Sequence, residues 1–321
     1  MTDRVPSIVI LFGPTAVGKS EILTQLFDQR FEVINADSMQ VYRHMDIGTA
    51  KPGIAARERP PLHLIDVAEP SYQWNAGEFV KSAETLVEQI RARDKVPVVC
   101  GGTAFYITSF LYGLPESPKG DAEARARLKE IARVEGRDAL ARLLRERDPV
   151  AASRIPEGDT YRITRALEVL ESTGESLYSF QWPRALRAGF RFLLLGLQRD
   201  REDLYRRIEQ RVDRMFSQGL VDEVKNLLSL GYGPDDPGMR GIGYREILQM
   251  RTGCESLTGA RELIKRNSRR YAKRQLTFFR SVEGVGWFAP TDVLRMQEAI
   301  DEFLAVANGA PEQPATQQPA T

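Results

Sequence analysis

The first third of the chain alternates short apolar runs with longer amphipathic ones. Between the apolar runs, a segment from Gly18 and a segment over residues 76–93 carry apolar side chains at helical spacing. This alternation predicts an α/β fold, in which helices flank a mainly parallel sheet on both faces. The runs with the length and β-branched content of buried strands are SIVILF (7–12), FEVINA (31–36), LHLIDV (62–67) and VPVVCGG (96–102).

The pattern changes at residues 112–121, YGLPESPKGD, where glycine and proline interrupt it. The stretch that follows, up to about Thr173, is rich in Arg, Ala, Leu and Glu and predicts helices only, and an apolar strand returns within residues 188–200. The Pro- and Gln-rich C-terminal residues have the composition of a disordered segment. We therefore predict a discontinuous α/β core (1–114 and 184–306), an inserted all-helical domain (115–183) and a disordered tail (307–321).

The loop after the first predicted strand matches G-x-x-x-x-G-K-[ST]. In such a P-loop, backbone N–H groups converge on phosphate oxygens at a helix N-terminus. Lys19 would add a full positive charge, and the Ser20 hydroxyl would bind a Mg²⁺ that bridges phosphate oxygens. The alternative is a glycine turn with a surface lysine. The motif predicts a P-loop NTPase-like fold and a phosphate site formed by Gly13, Pro14, Thr15, Ala16, Val17, Gly18, Lys19 and Ser20, with Ser20 as the metal ligand.

Two further strands end in polar residues that would lie at the same edge of the sheet as the P-loop, where open α/β sheets bind ligands. Asp37 follows the second strand and is a Mg²⁺ ligand, a general base toward an acceptor, or a turn cap with Ser38. Thr103 follows two glycines and is a helix N-cap that could also bind substrate. Lys51 is either a second phosphate contact or a solvated loop lysine.

Basic character is local. Lys+Arg 45 against Asp+Glu 44 leaves a net charge of +1, which indicates no partner. Residues 261–280, however, hold eight basic side chains against one acid, Glu262, which favours a polyanionic partner over a merely solvated face. We expect Ile264, Tyr271 and Phe278, at seven-residue spacing, to pack on the core. The basic residues are Arg261, Lys265, Arg266, Arg269, Arg270, Lys273, Arg274 and Arg280.

The segment MRGIGYREI adds Arg240, Tyr244 and Arg245 on a glycine-containing turn. Guanidinium and aromatic groups of this kind stack on unpaired bases, so the segment favours RNA binding.

Other function classes lack support. No apolar run approaches the ~20 residues of a membrane helix, so we expect a cytoplasmic chain with no membrane partner. Cys100 and Cys254 form no metal-binding pattern and are expected to be buried thiols. His44 and His63 are likewise expected to be structural.

Nine segments in order resemble the tRNA dimethylallyltransferase (tRNA isopentenyltransferase) family in its compact bacterial form, over most of the chain from Ser7 to Phe288. The resemblance implies transfer of a dimethylallyl group from dimethylallyl diphosphate to N6 of the adenosine just 3′ of the anticodon, with diphosphate as the leaving group. It also implies Mg²⁺ as cofactor and the tRNA anticodon stem-loop as partner, and we expect a monomer. The segments are GPTAVGKS, NADSMQVYR, MDIGTAKP, LHLIDVAEP, VVCGGTAFY, YRITRALEVL, RVDRMFSQGLVDEV, GIGYREI and YAKRQLTFFR.

The resemblance implies roles for individual residues. Asp37 would be the general base and Thr103 would hydrogen-bond the target base or the bridging oxygen. Arg211, with Lys19 and the metal on Ser20, would stabilise charge on the departing diphosphate. The residues that resemble tRNA-contacting positions are Asp37, Ser38, Met39, Gln40, Thr103, Arg125, Tyr161, Arg162, Ile163, Thr164, Arg165, Arg240, Gly241, Ile242, Gly243, Tyr244 and Arg245.

The sequence departs from the family at three positions. The family usually has Gly at the position of His44, His at that of Leu62 and Trp at that of Phe278, and only His44 is expected to affect donor fit. Two other functions stay open at this point. A small-molecule or nucleotide kinase would use ATP at the P-loop, and a P-loop RNA-binding switch would turn over nucleotide without changing the RNA.

Overall fold

The computed structural model describes residues 5–118, 121–251, 253 and 256–307. Within them, the chain forms two compact units. One comprises the residues up to Leu111 and those from Arg187, and the other comprises Tyr112–Leu186. Most of the tail predicted to be disordered, residues 308–321, lies outside the described residues.

The first unit contains a six-stranded sheet in the order β3-β2-β4-β1-β5-β6. Every pair of neighbouring strands is parallel. The predicted mainly parallel sheet flanked by helices is therefore confirmed. The strands are β1 (Ser7–Phe12), β2 (Phe31–Asn35), β3 (Leu62–His63), β4 (Val96–Gly101), β5 (Arg191–Leu197) and β6 (Gly286–Phe288).

Two strands differ from the sequence prediction. The run LHLIDV forms only the two-residue strand Leu62–His63, because Leu64 and Asp66 adopt left-handed backbone conformations, with φ of 61° and 55°. Strand β6, of three residues, was not predicted because so short a run carries no period that distinguishes it from a loop.

Twelve α-helices lie within the described residues. Helices α4 to α7 belong to the second unit, which is all-helical. The helices are α1 (Lys19–Leu26), α2 (Ala76–Arg91), α3 (Ala104–Tyr112), α4 (Ala122–Val134), α5 (Arg137–Arg147), α6 (Pro149–Ala152), α7 (Thr160–Thr173), α8 (Arg201–Ser217), α9 (Leu220–Ser229), α10 (Tyr244–Arg251), α11 (Leu257–Phe279) and α12 (Val293–Ala307). None of these helices is both long and apolar enough to cross a bilayer.

Burial of β1 explains how the P-loop is held. Ile8 to Phe12 are fully buried, and Val9 and Leu11 belong to a core cluster with Met296 and Ile300 of α12. A second cluster joins the loop after β2 to helices α8 to α11, with Met45 and Tyr244 among its members. The chain that follows Asp37 is therefore held in this second cluster.

The second unit has its own core. Leu128 of α4, Leu140 and Leu144 of α5, and Ile163 and Leu167 of α7 are almost fully buried against one another. Each of these helices buries one apolar face, which is what an independently folded helical unit requires.

Candidate active site

The P-loop connects β1 to α1 and is fixed by side chains from distant elements. Arg199 Nε donates to the Val17 carbonyl at 2.7 Å, and Arg207 Nε donates to the Ala16 carbonyl at 3.1 Å. The Thr15 N–H donates to Gln275 Oε1 at 2.9 Å. Three side chains thus hold the loop through hydrogen bonds to its backbone.

Lys19 and Gly18 complete the loop. Lys19 Nζ donates to the carbonyls of Gly13 and Pro14 at 2.9 and 3.0 Å, and burial lowers the pKa of the ammonium group. Gly18 has φ of 116°, a conformation that side chains with a Cβ rarely adopt. The glycine at position 18 of the motif thus has a geometric cause.

Asp37 lies two residues beyond the end of β2 and follows Ala36, whose N–H donates to the Cys100 carbonyl of β4. Its Oδ1 accepts hydrogen bonds from the N–H groups of Met39 at 2.9 Å and Gln40 at 3.4 Å. One carboxylate oxygen therefore caps a turn, as one sequence interpretation had it, although the donors are Met39 and Gln40 and not Ser38.

Thr103 joins the ends of β2 and β4. Its Oγ1 accepts from the Ser38 N–H at 2.9 Å and donates to Ser38 Oγ at 3.2 Å. Its own N–H donates to the Ala36 carbonyl at 3.1 Å. The two strand ends approach so closely that a Cβ at Gly101 would lie 2.1 Å from that carbonyl oxygen, so only glycine fits there.

A cavity of about 640 Å³ opens onto these residues. The P-loop residues Thr15, Ala16, Gly18, Lys19 and Ser20 line it, as do Asp37 to Gln40 and Gly48 to Ala50. Six basic side chains line it against two carboxylates, Glu21 and Asp37, so the cavity suits a polyanion. The basic side chains are Lys19, Arg207, Arg211, Arg214, Arg240 and Arg274.

Arg211 of α8 faces this cavity. Its Nη2 donates to the Thr49 carbonyl at 3.2 Å. Burial lowers the pKa of the guanidinium, while the negative charge of Asp37 raises it. A partly buried cation held beside the P-loop is placed to bind an anionic group there.

The sequence indicates no role for Gln275 of α11 and predicts only core packing for Tyr271. Gln275 is 4% exposed, and its Nε2 donates to the Gly102 carbonyl at 2.6 Å while its Oε1 accepts from the P-loop. Tyr271 lines the cavity, and burial, reinforced by the charge of Asp37, raises its pKa to about 12. The signal that could have found Gln275 is an uncharged polar residue on the buried face of a long helix.

The residues around the turn before α10 were predicted to bind RNA, and the structure places only some of them where a ligand can reach them. Arg240, Gly241 and Ile242 line the cavity. Tyr244 is fully buried and its hydroxyl donates to Glu223 at 2.6 Å, and Gly243 is buried beside it. The predicted stacking of Tyr244 on unpaired bases is thus wrong, because the ring belongs to the core.

Arg245 follows this turn and is half exposed. Its Nη2 lies 2.7 Å from Glu246 Oε1, and Glu246 is buried. The guanidinium is therefore held at the surface by an ion pair.

In the second unit, the predicted RNA-contacting residues of α7 lie on different faces. Tyr161 and Arg162 are exposed, whereas Ile163 is 1% exposed within the helical core and offers no side chain to RNA. Thr164 Oγ1 donates to the Thr160 carbonyl at 2.8 Å. The prediction for Ile163 was drawn from a continuous motif, and helical geometry divides that motif between two faces.

Arg125 and Arg165 share one partner in the second unit. Arg125 Nη2 lies 3.0 Å from Glu168 Oε1, and Arg165 Nη1 lies 3.1 Å from Glu168 Oε2. The Glu168 side chain is 1% exposed and that of Arg125 is 49% exposed. Glu168 thus holds two arginines, and the side chain of Arg125 is more exposed to solvent than that of Arg165.

Not all of the basic side chains of α11 are available to a partner, because some of them form ion pairs within the protein. Lys265 pairs with Asp213 at 2.9 Å, and Arg269 pairs with Glu209 at 2.5 Å. Phe278 is 43% exposed and Phe279 is buried instead, so the expected packing of Phe278 is wrong. The basic residues of the helix that remain exposed are Arg266, Arg270, Lys273 and Arg274.

Lys51 and His44 do not line the cavity. The Lys51 side chain is 1% exposed and bonds with Asp46, Asp66 and the Tyr42 carbonyl, so it is neither a phosphate contact nor solvated. His44 is exposed with φ of 63°, a conformation that a glycine adopts without strain.

His63 and Cys100 have structural roles. His63 Nε2 and Glu32 Oε2 are 2.7 Å apart. Hydrogen bonds from Arg93, aided by His63, lower the pKa of the buried Glu32 to about 2. Cys100 is buried, which raises its pKa to about 12, while Cys254 lies outside the described residues.

Metal ligands are sparse. Among the described residues, no group of three or more His, Cys, Asp or Glu side chains could hold a metal ion. Ser20, in the first turn of α1, is exposed and lines the cavity. One accessible hydroxyl, completed by ligand phosphate oxygens and water, is a ligand set that Mg²⁺ accepts in phosphate sites.

The sheet, the P-loop and the basic cavity define a P-loop NTPase-like α/β protein whose cavity suits a phosphorylated ligand. Residues 40–282 match the sequence model of the family described as IPP transferase, and the chain belongs to that family. The predicted family is thereby confirmed.

Individual relatives agree with this assignment. The chain is 47% identical over 282 residues to the tRNA dimethylallyltransferase of Geobacter sulfurreducens, covering 87% of this chain and 91% of the relative. It is 42% identical over 308 residues to tRNA dimethylallyltransferase 1 of Syntrophotalea carbinolica, covering 95% and 98%.

Solved structures are similar as well. The crystal structure of the full-length tRNA isopentenylpyrophosphate transferase from Bacillus halodurans has a TM-score of 0.68 and 35% identity, covering 94% of this chain and 98% of that one. A eukaryotic dimethylallyltransferase, described as acting on tRNA, has a TM-score of 0.75 and 26% identity, covering 97% and 81%.

Proposed function

We propose that this chain transfers a dimethylallyl group from dimethylallyl diphosphate to N6 of the adenosine 3′-adjacent to the anticodon of tRNA, releasing diphosphate. Membership of the IPP transferase family and the tRNA dimethylallyltransferases among its relatives support this function. The observation that carries the proposal is that Asp37 lines the same basic cavity as the P-loop. A proton acceptor and a binding site for an anionic leaving group thus face one space.

The P-loop and its neighbouring cations would bind the diphosphate. Backbone N–H groups at the start of α1, together with Lys19 and Arg211, provide positive potential where charge grows as the leaving group departs. Ser20 would hold a Mg²⁺ jointly with diphosphate oxygens, and this ion would supply further positive charge there.

Asp37 would act as the general base. As the bond between adenine N6 and the first dimethylallyl carbon forms, the bond from that carbon to the diphosphate oxygen breaks and its electron pair leaves with the diphosphate. The N6 proton passes to the Asp37 carboxylate, whose Oδ1 is oriented by the turn at Met39 and Gln40. Thr103 would hydrogen-bond the target base or the bridging oxygen, with Ser38 fixing its hydroxyl.

The tRNA would be held through its anticodon stem-loop. Arg240 at the cavity and the exposed cations Arg266, Arg270 and Lys273 of α11 would contact phosphates. In the second unit, Arg125 is a further candidate contact. The target adenine must leave its stack to reach Asp37, at a cost that phosphate contacts offset.

Incubation of the purified protein with Mg²⁺, dimethylallyl diphosphate and unmodified tRNA tests the proposal. Mass spectrometry of the digested nucleosides is expected to reveal an adenosine heavier by one five-carbon prenyl unit. The reaction without donor is the control. Unchanged tRNA would contradict the proposal. A parallel reaction with ATP distinguishes the alternatives, because a kinase would yield a phosphorylated product and a switch would hydrolyse nucleotide.

A further inference from the structure

The carboxylate of Glu223, in the first turn of α9, accepts four hydrogen bonds from two separate parts of the chain. Its Oε2 accepts from the N–H groups of Asp46 and Ile47 at 2.8 and 2.7 Å. Its Oε1 accepts from the Gly48 N–H at 3.0 Å and from the Tyr244 hydroxyl at 2.6 Å. A carboxylate offers about four acceptor positions, so all of them are used. We call these five residues the Glu223 clamp.

The clamp leaves the loop little freedom to move. Tyr244 is fully buried, and a Cβ at position 48 would lie 2.6 Å from its ring, so only glycine fits between the loop and the ring. Hydrogen bonds to an ionised acceptor are stronger than those between neutral groups. The backbone at 46–48 is therefore held by charge from Glu223 and by contact with Tyr244.

The residue after the clamp contacts the active site directly. The Thr49 carbonyl accepts from Arg211 Nη2 and from Gln40 Nε2, both at 3.2 Å. Thr49 lines the cavity together with Gly48 and Ala50. The clamp that holds residues 46–48 therefore also fixes the position of the Thr49 carbonyl, which is the hydrogen-bond acceptor of Arg211.

We propose that Glu223 is a positioning residue for the transfer reaction and acts through Arg211. The clamp fixes the Thr49 carbonyl, and this carbonyl orients the guanidinium toward the diphosphate. The inference rests on the proposed function through the role of Arg211. Because its acceptor positions are all occupied, Glu223 itself binds neither substrate nor metal.

The variant Glu223→Gln tests this role. One amide oxygen has two acceptor positions, and the new NH₂ group would face N–H donors, so at least two of the four bonds are lost. We expect kcat to fall about 10- to 100-fold, because small misplacements of a catalytic group cost that much. KM for the donor and Kd for tRNA should stay within about threefold, since Arg211 acts mainly on charge that develops in the transition state.

The matched control is Asp222→Asn. Asp222 lies in the same turn of α9, its side chain is 76% exposed and it pairs with Lys225, so the change removes the same charge without touching the clamp. Its kcat should equal that of the wild type. Tyr244→Phe removes one of the four hydrogen bonds and should lower kcat less than Glu223→Gln does. It replaces Glu223→Gln as the test variant if the latter folds poorly.

Two measurements separate positioning from general damage. In an Arg211→Ala background, Glu223→Gln should cause little further loss, because both changes remove one effect. Hydrogen exchange of amides 46–48 should be faster in Glu223→Gln than in wild type, whether or not the protein modifies tRNA. Unchanged exchange, a kcat within twofold of wild type, or equal losses in both backgrounds would each overturn the inference. A wild-type protein that leaves tRNA unmodified would instead refute the proposed function and, with it, the catalytic part of this inference.

Discussion

Replacement of Asp37 by asparagine isolates its chemistry from its structural role. The turn after β2 needs an acceptor at position 37 for the N–H groups of Met39 and Gln40, at 2.9 and 3.4 Å. Asparagine keeps an oxygen there but cannot take up the N6 proton. Alanine would lose the turn as well, so Asp37→Asn is the sharper variant and Asp37→Ala its control.

The expected loss can be estimated. A positioned general base contributes about 10²- to 10⁴-fold, or about 3 to 5 kcal/mol of barrier. The turn itself should lose only about 1 kcal/mol, since the hydrogen bonds persist without the charge. Asp37 lowers the local positive potential of Lys19 and Arg211, so neutralising it should not weaken binding of the diphosphate. The rate should therefore fall while KM for the donor does not rise.

Initial rates of tRNA modification, with tRNA affinity from filter binding, provide the assay. If Asp37 acted mainly as a Mg²⁺ ligand, high Mg²⁺ would restore much of the lost rate, whereas a missing base cannot be replaced in that way. An Asp37→Asn rate within tenfold of wild type would refute the assignment of Asp37 as general base.

Three further changes test other parts of the structure. Gln275→Ala leaves a P-loop amide and a strand-end carbonyl without their partner, so calorimetry should find about 1 to 3 kcal/mol less stability and kinetics a higher KM for the donor. Arg270→Ala should reduce the salt slope of tRNA binding by about one, while Lys225→Ala should leave the slope unchanged; equal slopes for both would exclude a phosphate contact at position 270. Glu32→Gln should cost about 2 kcal/mol at pH 7. Because the folded pKa of Glu32, about 2, lies below its ordinary 4.5, this difference should be complete above pH 4.5 and vanish toward pH 2 in denaturant titrations; a constant difference would contradict the ion-pair explanation.

The sequence allowed prediction of those elements whose pattern is local. The strands β1 and β4 are buried along almost their whole length, and β5 is buried over its last four residues, so they read as continuous apolar runs. The P-loop could be predicted because its glycines and its lysine lie close together in the sequence, where they form a recognisable motif. Its restraint by Gln275 could not, since the two partners are 260 residues apart.

Errors on α11 and α10 also have physical causes. Seven residues fall about 20° short of two full helical turns, so Phe278, two such steps after Ile264, lies about 40° behind it. The buried residues Ala272, Gln275 and Phe279 lie on the opposite side of Ile264, so Phe279 is buried and Phe278 is not. Tyr244 was assigned to the surface because its neighbours are glycines and arginines. Its burial depends on Gly48, which only the folded chain brings against the ring.

The hydrogen bond between Thr15 and Gln275 has a consequence for synthesis on the ribosome. The two residues are separated by 260 positions, and at ordinary elongation rates Gln275 is added about 13 to 50 s after Thr15. Strand β5, the neighbour of β1, also emerges long after it. A nascent chain thus exposes its glycine-rich turn, incompletely braced, while the next 260 residues are added, and the P-loop gains its last restraint only when α11 has been made.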